Sequence, residues 1–301
     1  MDIKNVIICG LGAIGLTYAD KLNDVCNLRI LADKTRIDRY LKDTPKVNGK
    51  ELKLNYITPD DSGIADLIII STKFNGLDDA IKYIKNFVGE NTIIISLLNG
   101  LASEEKIAKV YGKDKILHSY FIGTKSSVRV GNSVVQDGKP VIVFGTPYKE
   151  NKEKENNLKK FFDKNKIDYK IPDNIIYSLW AKFATNVVIN QLSAILNLTF
   201  GQTKNDYFRS LELNILDEVT NVAKAENVDG YQNIKNDVMA ILDKMTGDSK
   251  TSMLQDIIAG RKTEVDIFAG DVIRMGKRHG IDTPCNQMLY NMIRVMEEVK
   301  R

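Results

Sequence analysis

Six residues near the start, Gly10–Leu11–Gly12–Ala13–Ile14–Gly15, constrain this chain more than any other stretch. They lie between a short apolar run, Val6–Ile7–Ile8–Cys9, and a helical pattern from Ile14 to Leu22. A second apolar run, Leu28–Arg29–Ile30–Leu31, follows. Each glycine of a GxGxxG set in that context has its own task. The first permits a tight turn, the second lets the backbone approach a pyrophosphate, and the third lets the helix pack closely on the strand. The helix N-terminus then offers free N–H groups and its positive dipole end to the phosphates. Glycines also make ordinary turns, so the strand–helix–strand context is what points to a dinucleotide site. Gly10, Leu11, Gly12, Ala13, Ile14 and Gly15 are the candidate phosphate loop.

The first half continues the alternation. Leu67–Ile70 and Thr92–Ile95 are β-branched runs that suit parallel strands buried on both faces, and Leu77 to Phe87 between them has helical spacing. This predicts a doubly wound, Rossmann-type α/β domain. The pattern changes from Lys125 to Phe144. Val128–Arg129–Val130, Val134–Val135 and Val141–Ile142–Val143–Phe144 are separated by Gly131–Asn132 and Asp137–Gly138, which are hairpin signals. An antiparallel extension of the parallel sheet is expected there. A charged stretch from Lys149 to Lys160 reads as an exposed helix or loop, and Pro172–Asp173–Asn174 as a boundary. Helical pattern then dominates: about Ile175–Leu196, Phe208–Glu226, Ile234–Met245, Met253–Lys277 and Asn286–Val299. The expected organisation is a dinucleotide-binding domain over residues 1–172 and an all-helical domain over 173–301.

Bulk properties narrow the function. At 301 residues, two domains are the prior. A net charge of +4 is too small and too scattered to argue for nucleic-acid or membrane binding, though it mildly favours anionic ligands. Cys9, Cys26 and Cys285 lie far apart, and the only histidines are His118 and His279. Neither a disulfide framework nor a metal site is expected. No basic segment leads into an apolar leader, and no apolar run is long enough to span a bilayer, so a cytoplasmic protein is expected. Apolar stripes in the helical half would let two copies pair as a homodimer, and core packing would explain them equally.

Within the helical half, Trp180–Ala181–Lys182–Phe183–Ala184–Thr185–Asn186–Val187–Val188–Ile189–Asn190 carries polar residues at i, i+4 and i+8. Lys182, Asn186 and Asn190 therefore share one face of a helix otherwise apolar nearly all round. A buried helix seldom keeps an unpartnered charge. The stripe suggests a cleft wall, where an ammonium can stabilise the oxyanion formed in ketone reduction and donate its proton. A lysine snorkelling to the surface, with interhelical asparagines, is the structural alternative. Ser252 with Gln255 matches a capping box at a helix start, and Glu264 falls within the same predicted helix. Lys73 and Asn99–Gly100 each follow a strand, where the crevice of a doubly wound sheet lies, so Lys73 and Asn99 are expected beside the cofactor. His118 is a further polar candidate, equally suited to a satisfied core position. Asp33 ends the second strand, eighteen residues after Gly15. An acid there accepts from the adenosine ribose 2′-OH and favours NAD, whereas Lys34 and Arg36 could hold the 2′-phosphate of NADP.

Together these residues resemble the ketopantoate reductase (2-dehydropantoate 2-reductase) family along almost the whole chain. The marks are GxGAIG at Gly10–Gly15, Lys73, Asn99–Gly100, and the Lys-x3-Asn-x3-Asn helix from Lys182. Ser-Met-x-Gln-Asp and Gly-Arg-x-Thr-Glu-x-Asp between Ser252 and Asp266 are specific, and Gly280–Ile281, Pro284 and Asn286 also match. The resemblance implies reduction of 2-dehydropantoate to D-pantoate with NADPH, in pantothenate and coenzyme A biosynthesis. It implies Lys182 as general acid and Glu264 as the residue that binds and orients the substrate through its hydroxyl. Asn99, Asn186, Asn190 and Ser252 would hold substrate groups, with Lys73 by the nicotinamide end. One departure stands out. Many members carry an arginine for the 2′-phosphate where this chain has Asp33, so Lys34 or Arg36 would have to substitute; NADP stays the first expectation, with NAD the alternative that Asp33 opens. A related dehydrogenase acting on another small 2-oxo or hydroxy acid is the alternative. A non-catalytic dinucleotide sensor would need the loop but not Lys182, the asparagines and Glu264.

Overall fold

A computed structural model of the chain describes residues 2–123 and 127–299. The chain divides into two compact units, Met1–Ile175 and Ile176–Arg301. The strands of the first are β1 (Asn5–Cys9), β2 (Asn27–Leu31), β3 (Lys46–Val47), β4 (Lys50–Glu51), β5 (Tyr56–Ile57), β6 (Leu67–Ile70), β7 (Ile93–Ser96), β8 (Ile116–Ile122), β9 (Ser127–Val130), β10 (Ser133–Gln136), β11 (Val141–Gly145) and β12 (Tyr169–Lys170). Its helices are α1 (Ala13–Leu22), α2 (Lys34–Lys42), α3 (Leu77–Tyr83), α4 (Ser103–Tyr111) and α5 (Lys152–Lys164).

Eight strands form one sheet in the order β12-β11-β8-β7-β6-β1-β2-β5. Neighbours from β5 to β8 run parallel, and β11 pairs antiparallel with β8. Alternate residues of each strand feed separate cores. Val6, Ile8, Leu67, Ile69, Ile93 and Ile95 pack with α1 and with Leu158 and Phe162 of α5. Ile7, Ile68, Ile70 and Ile94 pack with Leu77, Ala80 and Ile81 of α3 and Ile107 of α4. A sheet covered on both faces favours apolar side chains at successive positions, which is why Val6–Cys9, Leu67–Ile70 and Ile93–Ile95 read as unbroken apolar runs. The charged stretch after Tyr148 is mostly α5, anchored by buried Leu158, Phe161 and Phe162.

The expected antiparallel extension holds for β11, which pairs with β8, and needs correction for β9 and β10. Lys125, where that region was expected to begin, lies outside the described residues. Gly131–Asn132 does join β9 and β10 as an antiparallel pair. However, β10 continues into a second sheet of order β4-β3-β10-β9, while only β11 joins the large one. Asp137–Gly138 therefore carries the chain between two sheets instead of closing a hairpin. Strands β3 and β4 have two residues each, joined through Asn48 and Gly49 at φ 50° and 82°. Elements so short leave almost no periodic signal.

The second unit holds only helices among its described residues. They are α6 (Ile175–Leu196, whose first residue belongs to the first unit), α7 (Asp206–Ala225), α8 (Ile234–Lys244), α9 (Ser252–Ile258), α10 (Ala269–His279) and α11 (Pro284–Val299), with short 3-10 turns between. Phe183, Ala184, Val187, Val188 and Gln191 of α6 are at most 1% exposed, as a helix apolar all round demands. The single helix expected over Met253–Lys277 is in fact broken. Gly260 takes φ 63° after α9, its N–H donates to the Ile257 carbonyl at 3.2 Å, and the Arg261 N–H donates to the Asp256 carbonyl at 2.8 Å. This is the paired bonding of a Schellman stop, which glycine enters without steric cost.

Candidate active site

The phosphate loop follows from close approach of backbones. Gly10 sits at φ 106°, and a Cβ there would come within 2.8 Å of the Thr72 nitrogen. A Cβ on Gly15 would lie 1.9 Å from the Gly10 carbonyl oxygen and 2.7 Å from Ser71 Oγ. Ser71 Oγ in turn donates to the Gly10 carbonyl at 2.7 Å, tying the loop to the end of β6. Gly12 differs: a Cβ there would meet only the Ser71 carbonyl oxygen, at 3.7 Å. Gly12 is also the N-cap of α1, with no side-chain cap and no acid in the first turn. Leu11 is buried and Ala13 and Ile14 half-buried, so the loop turns its backbone, not its side chains, outward. An uncapped helix start beside a glycine with free space fits a pyrophosphate.

Asp33 does not end a strand, because β2 stops at Leu31. It is the N-cap of α2: its Oδ1 accepts from the Arg36 N–H at 2.8 Å, and Arg36 Nε lies 3.4 Å from Oδ2. Lys34 is the first residue of α2 and is exposed. Lys73 is exposed just past β6, and Asn99 is half-buried just past β7. His118 is a half-buried imidazole: desolvation pushes it down to about 4, and its buried Nδ1 has no hydrogen-bond partner among the described residues.

In the second unit the polar stripe of α6 is braced by α9. Asn186 and Asn190 are each 5% exposed and Lys182 is half-buried. Desolvation pushes the Lys182 ammonium down to about 8. Asn190 Oδ1 accepts from Ser252 Oγ at 3.0 Å and from the Met253 N–H at 3.3 Å, and its Nδ2 donates to Asn186 Oδ1 at 3.4 Å. The expected capping box of Ser252 and Gln255 does not form, because the cap falls one residue earlier. Thr251 caps α9, accepting from the Leu254 N–H at 3.2 Å, and its hydroxyl also bonds Ser193 of α6 at 2.7 Å. Gln255 donates to the Lys250 carbonyl at 3.1 Å. The Ser252 hydroxyl is thereby released from capping and given to Asn190. Consecutive hydroxyl residues leave the cap position undecided in sequence, which is how Thr251 was missed.

Glu264, expected inside a helix, lies on the loop after the Gly260 stop and precedes a 3-10 turn at Val265–Ile267. That loop is pinned on both sides. The Thr263 N–H and hydroxyl donate to buried Glu297 of α11 at 2.6 and 2.7 Å, and Tyr290 donates to Asp266 at 2.9 Å. Glu297 lies 34 residues from Thr263 in sequence and gave no local signal. The structure thus joins Asn186, Asn190 and Ser252 by hydrogen bonds, with Lys182 one turn before Asn186 on the same face of α6, while Glu264 stands on an element of its own. A desolvated ammonium among amide and hydroxyl groups can bind an oxyanion and give it a proton. No cluster of three metal-ligating side chains occurs among the described residues. No helix of the described residues is long and apolar enough to cross a membrane.

Two family models match the chain. The family model described as ketopantoate reductase PanE/ApbA matches residues 6–147, and its C-terminal counterpart matches 174–297. A 2-dehydropantoate 2-reductase of Pyrococcus horikoshii is 28% identical over 300 residues, covering 98% of each chain. Among solved structures, D-mandelate dehydrogenase with NADH and anilino(oxo)acetate aligns with a TM-score of 0.86 at 24% identity, over 98% of this chain and 99% of that one. A 2-dehydropantoate 2-reductase of Geobacter metallireducens aligns at 0.81 and 24% identity, over 96% and 98%. At that identity these two likenesses speak for the fold. The two family models lie on either side of the junction between the units, one over the phosphate loop and one over the polar stripe, and the chain belongs to the ketopantoate reductase family.

Proposed function

We propose that this chain reduces the ketone of 2-dehydropantoate to give D-pantoate, with Lys182 as the general acid. The observation that carries the reading is the Lys182 ammonium, desolvated and set on the same α6 face as Asn186 in a chain of this family. When bound, the nicotinamide coenzyme supplies the hydride. Lys182 holds a proton toward the carbonyl oxygen, stabilises the charge that grows there, and gives up the proton as the alcohol forms. Asn190 has both an Oδ1 filled by two donors and an Nδ2 turned to Asn186, so it braces Asn186 and Ser252 while those two meet the substrate. Asn99 also holds substrate, and Lys73 serves the nicotinamide end. Glu264 accepts from the distal hydroxyl, which gives a panel of 2-oxo acids lacking that hydroxyl its discriminating power.

For coenzyme, the resemblance favours NADPH and the geometry at Asp33 favours NADH. A carboxylate just past β2 repels a 2′-phosphate and accepts from a 2′-hydroxyl. We take NADH as the preferred coenzyme. Asp33→Ser keeps a cap on α2 and removes the charge, so it is expected to raise kcat/KM for NADPH relative to NADH. The deciding experiment is steady-state kinetics of 2-dehydropantoate with each coenzyme, alongside Lys182→Ala. Turnover in the parent and a loss of at least about a hundredfold in the variant are expected. Absence of turnover with either coenzyme overturns the reading.

Two further elements belong to it. The free thiols Cys9, Cys26 and Cys285 suit the reducing cytoplasm. On α11, Met288, Met292, Val295 and Val299 are 50%, 42%, 59% and 80% exposed at coiled-coil spacing, which supports a homodimer. Light scattering at the mass of one chain would remove that element.

A further inference from the structure

Four buried side chains near the end of β7 take no part in the chemistry above. Ser96, Ser103 and Ser119 are each 1% exposed and Glu104 is 4% exposed. Ser96 Oγ donates to Ser103 Oγ at 2.9 Å, and Ser103 Oγ donates to Glu104 Oε2 at 2.7 Å. The Ser119 N–H donates to Glu104 Oε1 at 3.3 Å. Ser119 Oγ accepts from the Ser96 N–H at 3.0 Å and donates to the Ser96 carbonyl at 2.8 Å.

The place of this network in the sheet gives it meaning. The backbone ladder between β7 and β8 ends at Ile95 and Leu117, while the ladder between β6 and β7 runs on to Ser96. Beyond Leu117 the two strands part, and the serine and glutamate side chains replace the missing ladder. Ser96 is the last residue of β7 and Ser103 the first of α4. Their hydroxyl bond therefore ties together the two ends of the loop Leu97–Ala102. That loop carries Asn99 and turns at Gly100, whose φ is 92°. Burial pushes the Glu104 carboxyl up to about 7, so the position is costly for an acid and is offset only by its donors. Either protonation form keeps the network closed. If Glu104 is protonated, Oε2 donates to Ser103 and the hydroxyl chain runs in reverse to Ser96.

We propose that Glu104, acting through Ser103 and Ser96, is a positioning residue that clasps the Leu97–Ala102 loop and so fixes Asn99 against the substrate. The proposal rests on the role given to Asn99 above. Glu104→Gln retains an acceptor for the Ser119 N–H and a donor for Ser103, so it is expected to stay within about threefold of the parent in kcat/KM for 2-dehydropantoate. Glu104→Ala is expected to lose at least about tenfold. In an Asn99→Ala background the same change is expected to cost less than about threefold, because the residue it positions is gone. Full additivity of the two losses overturns the proposal. If Glu104→Ala does not fold, Ser103→Ala cuts the same link at lower cost and is read in the same cycle.

A second readout does not depend on the substrate. In amide hydrogen exchange, Leu97–Ala102 in the Ala variant is expected to exchange at least about tenfold faster than in the parent, with β1 and α1 unchanged. Uniform acceleration, or none, overturns the clasp. A parent that exchanges as expected but does not turn over 2-dehydropantoate overturns the substrate reading alone.

Discussion

At the scale of single residues, Lys182 joins activity and stability with opposite signs. Its ammonium is lowered from 10.5 to about 8 by desolvation, so the folded protein disfavours the charged form. Between about pH 8 and 10.5 the unfolded chain binds more protons at this position, and its contribution to stability rises with pH through that window. At pH 7 the whole penalty is present. Lys182→Met is therefore expected to unfold at a higher temperature than the parent at pH 7, by an amount on the order of 1–2 kcal/mol, while turnover collapses. As a general acid, Lys182 gives a reduction rate that is flat below about pH 8 and falls tenfold per unit above it. A pH–rate profile rising through pH 8 would remove Lys182 from that role. The loop glycines part company in the same way. Gly15→Ala drives a Cβ into the Gly10 carbonyl at 1.9 Å and is expected to abolish soluble protein. Gly12→Ala has room in the fold, so its melting temperature is expected to match the parent while coenzyme affinity drops at least tenfold. Equal melting losses in both would mean Gly12 serves the turn alone.

At the scale of elements, local periodicity exposed the long helices and the buried strands, and local ambiguity hid the joints between them. Helix α6 was legible from Ile175 to Leu196 because its apolar faces and its polar stripe both run at 3.6 residues. The stop after α9 was not, because apolar spacing continues past Gly260 and only the left-handed backbone reveals the break. Asp33 was legible as an acid but not as a cap, since the same residue serves either role and the end of β2 sets which. The α9 start offers a clean separation of cap from ligand. Thr251→Ala removes a cap and a bond to Ser193 and is expected to cost about 1–2 kcal/mol of stability. Ser252→Ala leaves the cap intact and loosens Asn190, so stability stays within about 0.5 kcal/mol while KM for the oxo acid rises several-fold. Chemical denaturation and kinetics on the two variants check this. The reverse pattern would put the cap back on Ser252.

At the scale of the whole molecule, the sequence announces two kinds of architecture, and the first unit closes cores of its own residues. The first unit buries both faces of its large sheet with its own helices. Its phosphate loop, Asp33, Lys73 and Asn99 all belong to Met1–Ile175, whereas the braced Lys182 face belongs wholly to Ile176–Arg301. What the sequence could not convey was pairing at a distance, such as β3 with β10 or Thr263 with Glu297, where the partners lie 87 and 34 residues apart. A unit whose cores are built from its own residues is expected to unfold by itself. NADH at about a hundredfold its Kd should stabilise the unit that binds it by about 2.7 kcal/mol. The slowest-exchanging amides of β1, β6 and β7 are then expected to slow by about a hundredfold, and those of α7 to keep their rate. Equal slowing in α7 would show that the chain opens as one cooperative body, and the expectation of separate unfolding would have to be abandoned.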